Sequence, residues 1–167
     1  CAWIDKVHAM HPDCTFSVET KIDGLSMSLR YAKEADGKLH LQLAETRGDG
    51  LIGEDVTANA RVIGDVLQVI DLPYDSLELR GEVYMSHEDF EKYNEEQERL
   101  EKKTAANPRN LAAGTLRQLD TSITKKRGLE MFIFNVQDGP AEIMESHSKG
   151  MDILKAAGVP VVYHKIC

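Results

Sequence analysis

Three stretches of this chain, residues 25–32, 39–43 and 77–85, alternate apolar and polar side chains with a period of two. That period marks a strand with one buried and one wet face. It is incompatible with a helix, whose side chains repeat every 3.6 residues. Leu25, Met27, Leu29 and Tyr31 form one face of the first run, and Leu39, Leu41 and Leu43 one face of the second. Ala35-Asp36-Gly37-Lys38 lies between them with the Asp-Gly turn signal, so the two are expected to pair as an antiparallel hairpin. Residues 129–136 are the most apolar run and are expected at the centre of the sheet. Shorter strands are expected at 15–20 and 66–70, and an extended segment at 159–163.

Helices punctuate these strands. Ser86 opens one with a capping-box pattern that runs to about Lys103. Asn107 caps another, with Pro108 in its first turn and residues 109–119 as its body. Its small residues Ala112, Ala113 and Gly114 would allow another backbone to come close. A third covers residues 146–157, stopped by Gly158. Shorter helices are expected within 1–13 and 55–63, and Lys125-Lys126-Arg127 reads as a basic connector. The fold class is α+β: antiparallel sheets with flanking helices, in one domain over residues 1–167. No run is long and apolar enough to span a membrane. Cys1, Cys14 and Cys167 are too scattered for a disulfide framework, which favours a reducing compartment. His8 and His11 have no third ligand near them in sequence, and no metal-ligating residue is assigned.

The chemistry concentrates in Val18-Glu19-Thr20-Lys21-Ile22-Asp23-Gly24-Leu25-Ser26. A lysine amine attacks only when neutral, and its reference pKa is about 10.4. Nearby carboxylates raise that value, so Glu19 and Asp23 do not serve to activate a free lysine. They suit instead the orientation of a ligand, metal or phosphate group around Lys21 as nucleophile. The other reading is an exposed lysine between two solvated acids.

Further along, Gly48, Gly50 and Gly53 make a literal G-x-G-x-x-G with Asp71 downstream. Asp49, Glu54 and Asp55 crowd the loop where a pyrophosphate needs a positive field, and the preceding strand alternates. A dinucleotide-binding Rossmann unit is therefore not expected. Arg47 at the loop entrance either meets an anion or lies on the surface. Arg80 and Glu82 share a strand face, as a solvated pair or around a sugar hydroxyl. Net charge is −8, which argues against blanket nucleic-acid binding, yet residues 99–127 carry +6 and the remainder −14. That window, which holds Arg109 and Arg117, is either a localised phosphate-binding face or a basic face balancing acidic neighbours.

Four stretches in this order carry a resemblance. They are Glu19-Thr20-Lys21-Ile22-Asp23-Gly24; Thr46-Arg47-Gly48-Asp49-Gly50 with Gly53-Glu54-Asp55-Val56-Thr57; Leu79-Arg80-Gly81-Glu82-Val83; and Asn107-Pro108-Arg109-Asn110 continuing to Asp120. Together they resemble the adenylation domain of bacterial NAD-dependent DNA ligases over nearly the whole chain. Lys-x-Asp-Gly alone is shared with ATP-dependent ligases and mRNA-capping enzymes.

The resemblance implies the nucleotidyltransferase fold of those enzymes, which is ATP-grasp-like. It implies that Lys21 attacks the α-phosphate of NAD and expels nicotinamide mononucleotide. The AMP then passes to the 5′-phosphate of nicked double-stranded DNA, in replication and repair. Glu19 is implied on the adenine side of the nucleotide, Glu82 at the ribose, Arg47 near ribose and phosphate, and Asp23 in a supporting role. Arg109 and Arg117 are implied on the nicked strand, Mg²⁺ as the accompanying metal, and a monomer in the bacterial cytoplasm near the nucleoid as the setting.

The family's domain continues to two further lysine-bearing strands not found in this sequence. Their positive charge at the α-phosphate would be missing, so this chain alone is expected to adenylate weakly or not at all. The competing expectations are an ATP- or GTP-using nucleotidyltransferase of the same superfamily and a non-catalytic nucleic-acid-binding module.

Overall fold

The computed structural model describes residues 1–47 and 53–167. Gly48, Asp49 and Gly50 of the glycine-rich motif lie outside the described residues. The elements are α1 (Ala2–Met10), β1 (Ser17–Glu19), β2 (Leu25–Lys33), β3 (Leu39–Thr46), α2 (Thr57–Ala60), β4 (Val69–Ile70), β5 (Ser76–Met85), α3 (His87–Arg99), α4 (Pro108–Leu116), α5 (Thr121–Lys126), β6 (Leu129–Asp138), α6 (Ala141–Met144), α7 (His147–Ala156) and β7 (His164–Ile166). A five-stranded sheet has the order β4-β3-β2-β5-β6, and β1 pairs with β7 in a second, two-stranded sheet. Every pairing between these strands is antiparallel.

The alternation dictates the layers. Met27, Leu29, Leu79, Val83 and Met131 are fully or almost fully buried on one face of the large sheet. Ala112 and Leu116 of α4 and Met151 and Leu154 of α7, all 0 % exposed, join them in one core. Ser26 pairs with Glu82, and Glu82 with Phe132, on the opposite face of β2, β5 and β6. The hairpin of β2 and β3 forms as expected, with one change of phase. Tyr31 pairs with Leu41 and Arg30 with Leu43, so the chain bulges there. Beyond the bulge Ala44 is the buried residue and Leu43 is only half-buried.

Several other expectations are corrected. β6 is an edge strand, not a central one. Its free side is covered by residues 160–162: Ile133 N donates to Pro160 O and Val162 N donates to Ile133 O. That cover, together with Phe132 stacked on Tyr84, accounts for an edge strand that is apolar on both faces. The body of α4 ends at Leu116, short of the expected Leu119, which is fully exposed. Nothing lies within contact distance of a Cβ at Gly114, so that glycine admits no close backbone. The basic connector is the end of a helix, α5, whose cap is Asp120: its side chain accepts from Ser122 N.

The end of α4 is tied down by a buried polar knot. Asn59 donates to the carbonyls of Leu116 and Gln118, and the Thr124 hydroxyl donates to Asn59. Each member is satisfied, which such a network requires to be stabilising. In the apolar core, Leu79 is 0 % exposed at the centre of β5. Leu79→Ala is expected to destabilise the fold by about 2–5 kcal/mol, read as a lower denaturant midpoint at unchanged slope. An unchanged midpoint would contradict the central position of this residue.

Candidate active site

The Lys21 motif occupies the turn between β1 and β2 and is pressed onto β5. A Cβ at Gly24 would lie 2.1 Å from the Val83 carbonyl oxygen, so only glycine permits this contact. The Gly24 N–H donates to Glu82 Oε1 at 3.2 Å. Glu82 is therefore held under the motif, 9 % exposed, while Lys21 stands exposed above it. Burial raises the Glu82 carboxyl above its ordinary value. The Gly24 hydrogen bond and the charges of Lys21 and Arg109 work against that rise.

Glu19, Lys21 and Glu82 line one cleft of ≈ 280 Å³, with Thr20, Ile22, Phe134 and Val162 as its other walls. An amine, two carboxylates and an aromatic wall suit a ligand with a flat base and polar sugar or phosphate groups. Glu19 is itself engaged: its Oε1 accepts from Ser17 Oγ and from His147 Nε2 at the start of α7.

The remaining sequence-derived residues lie around this cleft or apart from it. Arg109 donates to Asp23 at 3.2 Å, so the start of α4 meets the Lys21 motif. Arg117, just past the end of α4, donates instead to Glu54 at 2.6 Å. It lines a different groove, with Thr57 and Asn59. Arg47 is exposed just past β3 and does not line the Lys21 cleft. Arg80 lies beside Glu82 on the polar face, and Arg30 rather than Arg80 makes the cross-strand ion pairs, to Glu45 and Glu78. Among the described residues no group of three or more His, Cys, Asp or Glu side chains could hold a metal ion.

The basic window is spread rather than gathered. Lys126 pairs with Glu96, and Arg127 lies over the Tyr93 ring while donating to Thr115.

Sequence reasoning missed three contributors: Phe134, Val162 and His147. Phe134 had a legible signal, as an aromatic out of phase with the core-facing positions of its strand. Val162 and His147 arrive from distant segments and had none.

The family model described as the NAD-dependent DNA ligase adenylation domain matches residues 1–166. A DNA ligase of Jannaschia sp. (strain CCS1) is 50 % identical over 149 residues, covering 89 % of this chain and 19 % of the relative. A DNA ligase of Lactobacillus helveticus (strain DPC 4571) is 53 % identical over 137 residues, 82 % of this chain and 20 % of the relative. One from Clostridium kluyveri (strain ATCC 8527) is 43 % identical over 167 residues, 99 % of this chain and 24 % of the relative. The chain thus spans about a fifth to a quarter of the length of these curated relatives.

The raised Glu82 carboxyl has a measurable consequence. An acid that holds its proton more tightly when folded contributes stability below its unfolded value and loses it as pH rises through the folded value. Glu82→Gln, which stays neutral, is expected to melt above the parent at neutral pH. The gap should close as pH falls into the ordinary carboxylate range. A gap that stays constant through that range would rule out Glu82 as its source.

Proposed function

The chain belongs to the NAD-dependent DNA ligase adenylation domain family, and on that premise we propose that it is the part of such a ligase that takes AMP from NAD onto Lys21. The observation that carries this reading is the convergence of Lys21, Glu19 and Glu82 on one cleft, with Gly24 locking the lysine turn onto β5. In the proposed step the Lys21 amine attacks the α-phosphorus. A phosphorus–nitrogen bond forms, the bond to the nicotinamide mononucleotide oxygen breaks, and the amine gives up a proton. The AMP then goes to the 5′-phosphate of a nicked DNA duplex, from which the 3′-hydroxyl displaces it.

Roles follow from chemistry at each position. Phe134 and Ile22 offer apolar surface to the base, and Glu19 offers an acceptor to its amino group. Glu82 suits a ribose hydroxyl, because a carboxylate in a half-dry site is a strong acceptor. Asp23 pairs with Arg109 beside the lysine turn. Arg109 and Arg117 are proposed to meet DNA phosphates. Their ion pairs with Asp23 and Glu54 are half-exposed or more, and exposed pairs contribute only about 0–1 kcal/mol, so phosphate can replace the acids. Arg47 is proposed near the ribose and phosphate. Mg²⁺ is proposed as the metal that accompanies the phosphates. Among the described residues no group of three or more His, Cys, Asp or Glu side chains forms a cage for it, and no step here runs through one.

The fold is proposed to be the nucleotidyltransferase fold shared with capping enzymes, in one partial domain acting as a monomer in a bacterial cytoplasm. The antiparallel sheets and the nucleophile on a strand-to-strand turn support that assignment.

The test is an intact mass after incubating the full-length protein with NAD and Mg²⁺. A gain of one AMP is expected, and Lys21→Ala should abolish both it and nick joining with the melting transition unchanged. An adduct that survives Lys21→Ala would overturn the assignment. Labelling from ATP or GTP but not NAD would move the protein to another branch. Salt-sensitive DNA binding untouched by Lys21→Ala, with no adduct in the parent, would favour a binding module.

A further inference from the structure

We infer that His147 is a positioning residue for the nucleotide base. With Ser17, it holds the Glu19 carboxylate so that one oxygen faces an exocyclic amino group. The inference rests on the adenylation reading above and adds a residue to it from a distant part of the chain.

Among the described residues two acids line the cleft, and of these Glu82 accepts from the Gly24 backbone while Glu19 does not. A free glutamate turns about three bonds and would lose that freedom on binding. Here two donors take the same oxygen. Ser17 Oγ donates to Oε1 at 2.9 Å, and His147 Nε2 donates to Oε1 at 2.5 Å. A carboxylate has only acceptors, so the imidazole must carry its hydrogen on Nε2 in this contact. Among the described residues Oε2 has no such partner and is left to the ligand. Two donors on one oxygen fix the plane of the group and leave the other oxygen as a presented acceptor. An amino group on the base completes the arrangement, whereas a carbonyl at that position sets oxygen against oxygen. The clamp therefore selects a 6-amino purine over a 6-oxo purine.

The imidazole is well placed to do this because α7 is itself fixed. A Cβ at Gly150 would lie 2.6 Å from the Ile143 carbonyl oxygen, so α7 is seated directly on the α6 backbone. Met151 and Leu154, one and two turns on, are 0 % exposed. Gly150 N donates to Ser146 O at 2.9 Å, closing the first turn on which His147 sits. A residue on a packed helix end holds a neighbour more tightly than one on a loop. The clamp joins residues 128 apart in sequence.

The experiment compares the parent, His147→Ala and His147→Gln in the full-length protein. AMP transfer onto Lys21 is followed with NAD and with its hypoxanthine counterpart. His147→Ala is expected to raise the NAD KM about tenfold at nearly unchanged rate, and to lose most of the preference for NAD over the hypoxanthine dinucleotide. His147→Gln keeps a donor at similar reach and should recover most of both. A role limited to the start of α7 would lower the melting temperature of the two variants alike and leave base preference intact; that outcome overturns the proposal. Equal KM and equal preference in the parent and His147→Ala, where the parent adenylates, overturns the clamp and leaves the reaction standing. A parent that takes no AMP onto Lys21 overturns the adenylation reading, and the role of His147 with it.

Discussion

Gly24 and Val83 touch backbone to backbone, and the rest of the site is arranged around that contact. A side chain at Gly24 would lift the lysine turn from β5 by the thickness of a methyl group or more. Glu82 would then lose its backbone donor and be left buried with less compensation, a costly state for a carboxylate. The contact fixes three things together: where the amine stands, which acid lies beneath it, and how far β2 can slide along β5. A slip of one residue in that pairing would turn Glu82 into the apolar core and Val83 into the cleft. The core and the site therefore enforce each other's register.

Charge is managed locally rather than globally. The net −8 and the +6 window suggest a molecule divided into fields, yet four of the eight basic groups in the window have companions of their own. Arg109 has Asp23, Arg117 has Glu54, Lys126 has Glu96, and Arg127 has the face of Tyr93. Pairs of this exposure are weak and screened by salt, so they orient the side chains more than they stabilise the fold. Orientation without strong commitment is what an exchangeable anion contact needs.

The legible parts of the fold were those set by neighbours in sequence. The β2–β3 hairpin, the Ser86 and Asn107 caps, Pro108 in the first turn of α4 and the stop at Gly158 all follow from local chemistry. Lys21, Glu19 and Glu82 were legible as candidates, and the cleft brings those three together. What failed was anything decided by a partner elsewhere. β6 has the composition of a central strand because residues 160–162 cover its edge, and nothing in residues 129–136 reveals that cover. The bulge opposite Arg30 moved burial from Leu43 to Ala44 without a glycine or proline to mark it. Gly114 promised a close approach, and no neighbour came. His147 was one polar residue on a helix until the fold set it against Glu19.

The cover on β6 has a consequence for the order in which this molecule is made. Val162, which closes one wall of the cleft, lies in the segment that lines up along Ile133. β7 follows at once and returns to pair with β1, the strand that leads into Lys21. Lys21 therefore leaves the ribosome well before Val162, which walls its cleft. While synthesis proceeds, the sheet has a bare edge at β6 and the lysine has no pocket. The two are resolved by the same later stretch of chain, residues 160–162. Contacts so distant in sequence are slow to form. The cleft around Lys21 is thus walled only once synthesis has passed Val162.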